Sequence, residues 1–358
     1  MIAPGAIGIA AFRELLRSGR VAVEEIDRFD TTGLSAHKAA LVRDFKPRDF
    51  IPLMKMRRMN GLSRLAVAAA RLAIEDCETT LSPETGVAIG TAFGPVQTSV
   101  EYMQEYVEKG ASLAPPQLFA ESVANAPGSH IAIEWGLRGF NLTITQRESS
   151  ALAAAMYAAT QLVKGSAQAA LIGGVEEANE MLFSVLDRIG ALAHAEGDLD
   201  EAARPFDPRR NGFVLGEGSA MLVAGAGTRK PYGWLAGFGI ARDTTAPISD
   251  WGTDPESVVR AMKGALDDAG VDTVDAVFAS ANGSRRGDEV ERLALERLFP
   301  GKPVIATKQI FGEYAAGGAL QLVAALLATD EERHQNVLVN AISAGGGIIS
   351  CVISKDAG

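Results

Sequence analysis

The chain alternates between small-residue segments with helical spacing and short runs that are almost wholly apolar and bounded by glycine. From Leu65 to Cys77, Ala, Leu and Ile recur at helical spacing, and the polar stretch from Glu78 to Thr85, with Pro83 inside it, ends the pattern. Gly86–Gly90 then predicts a buried strand, because a run apolar on both faces fits a sheet covered on both sides. Gln97–Lys109 predicts a helix closed by Gly110. Pro127–Trp135 predicts another, with Asn125 near its start and Gly136 at its end, and Ser149–Lys164 a third ended by Gly165. The strand Ala169–Ile172 follows and runs into Gly173-Gly174.

From Pro231 the alternation starts again: strand Trp234–Ile240, helix Pro255–Ala269, strand Ala276–Ser280, helix Asp288–Leu298, strand Pro303–Thr307, helix Ala315–Ala328 and strand Asn336–Asn340. Ser149 to Gly174 and Ala315 to Gly346 share an outline, a small-residue helix leading to an apolar strand and a group of glycines. Strands alternating with helices imply parallel sheets covered on both faces. The expected fold is therefore α/β, an α/β/α/β/α layered sandwich made by duplication, with halves at 1–228 and 229–358.

Composition narrows the partners. At 358 residues, 47% hydrophobic and 6% aromatic, the core is expected to be aliphatic and built from small side chains. The 34 basic and 44 acidic residues give a net charge of −10, which argues against a nucleic-acid footprint. Cys77 and Cys351 are too few for a disulfide framework and fit reduced cytosol. The apolar start, Ile2 to Phe12, has no basic residue ahead of it and contains Pro4, Gly5 and Gly8, so neither a secretion signal nor a membrane span is expected. No Walker loop, dinucleotide fingerprint or metal-ligand cluster stands out, and neither cofactor nor metal is expected.

The most specific stretch is Arg204-Pro205-Phe206-Asp207-Pro208-Arg209-Arg210-Asn211-Gly212-Phe213-Val214-Leu215-Gly216-Glu217-Gly218. Together with Gly173-Gly174-Val175-Glu176, Thr307-Lys308 and the segment from Asn340 to Gly347, it resembles the β-ketoacyl synthase family of the thiolase fold over nearly the whole chain. The resemblance implies a catalytic cysteine at a helix N-terminus, where the dipole favours thiolate, and two histidines. Those positions read Glu148, Asn282 in Ala281-Asn282-Gly283, and Glu313 in Lys308-Gln309-Ile310-Phe311-Gly312-Glu313. Lys308 is retained, and a salt bridge to Glu291 or Glu313 is expected for it. The usual phenylalanine between glycines near the C-terminus is replaced by Ile342-Ser343-Ala344-Gly345-Gly346-Gly347, and most of the usual first strand ahead of Pro4-Gly5 is absent.

With sulfur and imidazoles gone, the pattern resembles the chain length factor, the β subunit of a type II polyketide ketosynthase heterodimer. That subunit commonly has glutamine where Glu148 stands, and the loop Gly312 to Gly318 looks more like its own than like that of an active synthase. The implied function is non-condensing: to pair with an active ketosynthase subunit, reach acyl carrier protein through that partner, and shape a polyketide or polyene cavity. A malonyl-carrier decarboxylase built around Glu148, Asn282 and Glu313, and a homodimeric acyl-binding protein, remain as alternatives.

Two readings of Glu148 stay open. Thr145-x-x-Glu148 has capping-box spacing, so the carboxylate completes a helix start, or else it mimics a bound carboxylate in malonyl decarboxylation. Ser149 and Ser150 lack a nucleophile elbow and a histidine base, and His37, His130, His194 and His334 fall outside the motif positions. In Gln97–Lys109, Val100, Met103 and Val107 recur at helical spacing, with Tyr102 and Tyr106 one turn apart. Core packing is the default expectation for that stripe. The resemblance adds another, that these bulky residues lie near a subunit interface and bound the polyketide tunnel.

Overall fold

The computed structural model describes residues 1–225, 230–314, 318–331 and 334–356. The expected boundary at 228/229 and the first three residues of the expected helix Ala315–Ala328 lie outside the described residues.

Two sheets form among the described residues. The first has six strands in the order β2 (Ala6–Ile7), β1 (Ile2–Ala3), β8 (Gly218–Ala224), β7 (Ala170–Glu176), β5 (Gly86–Gly90) and β6 (Asn141–Ile144). The second runs β11 (Val304–Ile305), β10 (Ala276–Phe278), β12 (Asn336–Ile342), β13 (Gly347–Ser354), β9 (Trp234–Arg242). The remaining pair, β3 (Glu24–Glu25) and β4 (Lys38–Ala39), stands apart. Duplication is visible in the topology, because the order β8-β7-β5-β6 repeats as β13-β12-β10-β11. The expectation of parallel sheets needs correction: β7–β8, β12–β13 and β13–β9 are antiparallel. β13 follows β12 through the short turn 343–346, whereas β8 returns beside β7 only after the long segment 177–217 that carries the helix Glu180–Arg188, and periodicity gives strand direction in neither case. The N-terminal segment also supplies a short strand after all, since β1 pairs with β8 at Ile2↔Ser219.

The five layers expected from the alternation are present. Helices Ser150–Val163 and Ala319–Asp330 share one buried cluster with Ala88, Ile172 and Ala220 of the first sheet and Phe278, Val339 and Ile349 of the second. They form the middle layer. Gly61–Cys77 and Ala126–Trp135 cover the outer face of the first sheet, and Pro255–Ala269 and Arg285–Leu298 that of the second.

Local chemistry sets the helix ends. Gly61–Cys77 begins four residues earlier than its apolar spacing indicates, because the Asn60 side chain accepts from Ser63 N at 2.6 Å and caps the helix. Gly136 and Gly270 close their helices in the left-handed conformation. Glycine is required where helix meets sheet: a Cβ on Gly239 would come within 1.9 Å of Ala261 O. Among the described residues, no helix is long and apolar enough to cross a membrane.

Candidate functional site

Strand β5 ends at Gly90, and the chain of the middle helix begins directly against it. A Cβ on Gly90 would lie 2.5 Å from Ser150 C and Ala151 N, so only glycine lets that helix start so close. Just ahead of the helix, Arg147–Ser149 forms a 3-10 turn in which Arg147 takes φ 50°, a strained setting for a residue with a side chain. Glu148 follows and is fully buried. The capping-box reading fails here: neither this turn nor the helix has a side-chain cap. Glu148 Oε2 instead accepts from Ala344 N at 3.1 Å, across the boundary between the halves, and Oε1 has no hydrogen-bond partner. The start of the helix is organised by Ser150, whose hydroxyl accepts from Gln146 N at 2.8 Å and lies 2.6 Å from Arg147 O.

The second half brings Lys308, Asn282 and Glu313 to one point. Lys308, at the start of the short helix Lys308–Phe311, donates to Glu313 Oε2 at 2.7 Å, with both side chains almost completely buried. Asn282 Nδ2 donates to the same oxygen at 2.6 Å, and Tyr314 N donates to Oε1 at 2.8 Å. The salt bridge expected for Lys308 is therefore to Glu313. Glu291, the other candidate, is held separately by Ser280 N and Asn340 Nδ2 at 2.8 and 2.7 Å. Asp288 accepts from the Asn282 and Gly283 amides, which fixes the turn that carries Asn282.

The two clusters are electrostatically one. Burial, and secondly the charge of Glu313, push the Glu148 carboxyl up to about 7, against which Lys308 and Arg147 act only in part. Burial followed by Glu148 and Glu313 holds the Tyr314 phenol well above its ordinary value. That hydroxyl adjoins Glu148 without meeting hydrogen-bond geometry. Tyr314 sits at φ 63° and packs edge-on against Phe93 at 5.0 Å and Phe213 at 5.4 Å, an aromatic group beside the buried acids. Neither Tyr314 nor the Ala344 amide was picked out from the sequence. The first is one residue past a motif position, and the second acts through its backbone.

Other candidates separate from this site. Ser149 and Ser150 hydroxyls are engaged with Ser343, Gln146 O, Thr91 O and Arg147 O, and no histidine bonds to them among the described residues. The expectation that Gln97–Lys109 buries its stripe is overturned. In the observed helix Val96–Lys109 only Thr98 is buried; Val100 and Tyr102 are half-buried, Tyr106 is exposed, and Met103 and Val107 are 52% and 76% exposed. Tyr102 stacks with Tyr106 and with Phe119 of the Pro116–Glu121 helix, forming one surface aromatic group. A cleft of about 580 Å³, lined by Arg28, Arg64, Gln97, Glu177, Asn179 and Glu217 among others, is formed by residues other than the buried acids. Among the described residues no group of three or more His, Cys, Asp or Glu is arranged to hold a metal ion.

Two buried carboxylates, the Asn282 amide and the Lys308 ammonium thus gather where the middle helix begins against the end of β5. Family models decide the lineage: residues 1–225 match the beta-ketoacyl synthase N-terminal domain and residues 232–338 its C-terminal domain. The chain belongs to the beta-ketoacyl synthase family. It is 31% identical over 348 residues to a Streptomyces coelicolor chain named as actinorhodin polyketide beta-ketoacyl synthase 2, covering 92% of this chain and 84% of that one. It is 29% identical over 338 residues to 3-oxoacyl-[acyl-carrier-protein] synthase 2 of Coxiella burnetii, covering 88% and 80%. Among solved structures, "The ishigamide ketosynthase/chain length factor" superimposes with a TM-score of 0.85 at 23% identity, covering 99% of this chain and 97% of that one. The ketosynthase of Xenorhabdus doucetiae in complex with its chain length factor gives 0.82 at 18% identity, covering 96% and 93%. At those identities the superpositions establish the thiolase-like ketosynthase fold.

Proposed function

We propose that this chain is a non-condensing, chain-length-factor-like subunit that pairs with an active ketosynthase and helps enclose the cavity in which a polyketide or polyene grows. The observation that carries the reading is the buried network itself, in which Glu313 is held by Lys308, Asn282 and Tyr314 N, while Glu148 heads the middle helix with neither thiol nor imidazole bonded to it among the described residues. Condensation needs a nucleophile that takes up an acyl group and donors that polarise a thioester. Glu148 has neither a thiolate nor the exposure to reach a substrate, and Glu313 is locked to Lys308 and Asn282. In this reading the partner supplies the cysteine, the histidines and the route to acyl carrier protein.

The surface supports pairing. Strand β6 ends the first sheet, and strand edges are sites of pairing between chains. Ile133 on the Ala126–Trp135 helix is exposed, as are Met103, Tyr106, Val107, Leu113 and Phe119 on the segments after β5. An exposed apolar group of this kind marks an interface more than an isolated surface residue does. Met103 and Tyr106 are then positioned to limit product length. Burial weakens the decarboxylase alternative, because Glu148 and Glu313 are almost wholly closed off from a substrate.

Coexpression with a ketosynthase that retains its cysteine and both histidines tests the proposal. A stable complex, in which Met103→Ala or Tyr106→Ala lengthens the product, is the expected result. A stable lone chain with no affinity for any such subunit counts against it.

A further inference from the structure

The Ser343–Gly347 turn belongs to the second half of the chain but is fastened to the first half at one place. Ala344 N donates to Glu148 Oε2 at 3.1 Å, Ser149 N donates to Ser343 Oγ at 3.0 Å, and Ser343 Oγ lies 3.0 Å from Gln146 O and 2.8 Å from Ser149 Oγ. On its other side the turn is tied to its own half, through Gly345 N to Asp250 O at 3.0 Å and Asp243 N to Gly346 O at 2.9 Å. Gly345 and Gly346 sit at φ 86° and 88°, a pair of residues able to absorb a change of direction. Of the groups that fasten the turn to the first half, only Glu148 titrates.

Its surroundings decide which protonation state is compatible with closure. The charged and titratable groups facing it are Glu313, Lys308, Arg147 and Tyr314, while the turn itself contributes none. Lys308 is already bonded to Glu313, so an ionised Glu148 would place two carboxylates on one ammonium, shielded from water. Its Oε1 accepts no hydrogen bond, and the donor beside it is the uncharged Tyr314 phenol rather than a second cation. An ionised carboxylate would accept from Ala344 N more strongly, but burial and the repulsion from Glu313 outweigh that gain, and the neutral carboxyl still offers Oε2 to the amide.

We propose that the Glu148 carboxyl is a proton-operated clasp between the two halves of the chain: protonated, it holds the Ser343–Gly347 turn through the Ala344 amide, and on releasing its proton to solvent it lets the turn go. The rise of this carboxyl to about 7 agrees with that arrangement. Neutral Glu148 then does the work of an uncharged amide side chain at the same point. The clasp does not depend on pairing with another subunit.

Hydrogen exchange on the full chain tests it, with protection of the Ala344 amide and its turn measured at pH 5 and pH 8 and corrected for intrinsic rate. If opening hydrates Glu148 and returns it to an ordinary acidity, protection of the turn falls at least about tenfold between those values. Glu148→Gln keeps an acceptor that cannot titrate and should show no such fall, while Glu148→Ala should be weakly protected at both. Amides of β13, such as Val352, serve as the control for global unfolding. Equal wild-type protection at the two pH values, or a Glu148→Gln response matching wild type, overturns the proposal, and these two proteins decide it even if Glu148→Ala does not fold.

Discussion

Replacing Lys308 by methionine removes the one ammonium inside the buried acid cluster and preserves most of its volume. Lys308 is 3% exposed, its bond to Glu313 measures 2.7 Å, and Asn282 and Tyr314 N are the donors that remain. Breaking one side of a buried ion pair costs about 3–5 kcal/mol, because the surviving charge keeps its desolvation penalty and loses its partner. The loss should therefore be about 3–5 kcal/mol at pH 7. The double variant Lys308→Met/Glu313→Gln removes both charges and should lie within about 1 kcal/mol of wild type, since exchanging a whole buried pair is often neutral. Urea unfolding of wild type, Lys308→Met, Glu313→Gln and the double variant at pH 7 measures the cycle. A Lys308→Met loss under about 1 kcal/mol at pH 7 would refute the idea that this ammonium holds the cluster together.

Three further outcomes are expected. Glu148, Glu176 and Glu291 are raised to about 7, 8 and 7, all chiefly by burial, so below about pH 4.5 they are protonated in both states and carry no penalty. As pH rises towards 8 the unfolded chain releases protons that the native one retains; urea midpoints should therefore fall from pH 5 to pH 8, and Glu176→Gln should flatten that slope. Gly90→Ala drives a methyl into backbone at 2.5 Å and should cost at least about 1–3 kcal/mol in the same assay. Met103→Asp and Val107→Asp, at 52% and 76% exposure, should change the stability of the lone chain by no more than about 0.5 kcal/mol yet abolish copurification with a ketosynthase.

Much of this was legible in the chain because its signals were local. Pro255–Ala269 emerges with the bounds expected from the sequence, and the structure shows Asp254 capping it and Gly270 closing it. Alanine-rich Ser149–Lys164 forms the middle layer, shortened by the 3-10 turn at Arg147–Ser149. Glu148, Asn282 and Glu313 were found through motif spacing, and the structure brings Asn282 and Glu313 into contact beside Glu148. What periodicity missed was relational. The Glu148 carboxylate fits a capping box by spacing, but its acceptor is used by an amide 196 residues away. The Val96–Lys109 stripe has the pattern of a core face, and a face awaiting another chain carries the same pattern. Strand direction was misread because β8 and β13 return antiparallel beside the strands they follow, one after a long excursion and the other after a short turn, and apolar spacing encodes neither partner nor direction.

The central claim is that this scaffold forms no carbon–carbon bond without a companion. The most direct measurement supplies the purified chain with acyl and malonyl carrier thioesters, alone and then with a cysteine-bearing ketosynthase, and weighs the products by mass spectrometry. Elongated products are expected in the mixture beyond those made by the ketosynthase alone, and none from this chain by itself. Sustained elongation by the isolated chain would contradict the claim.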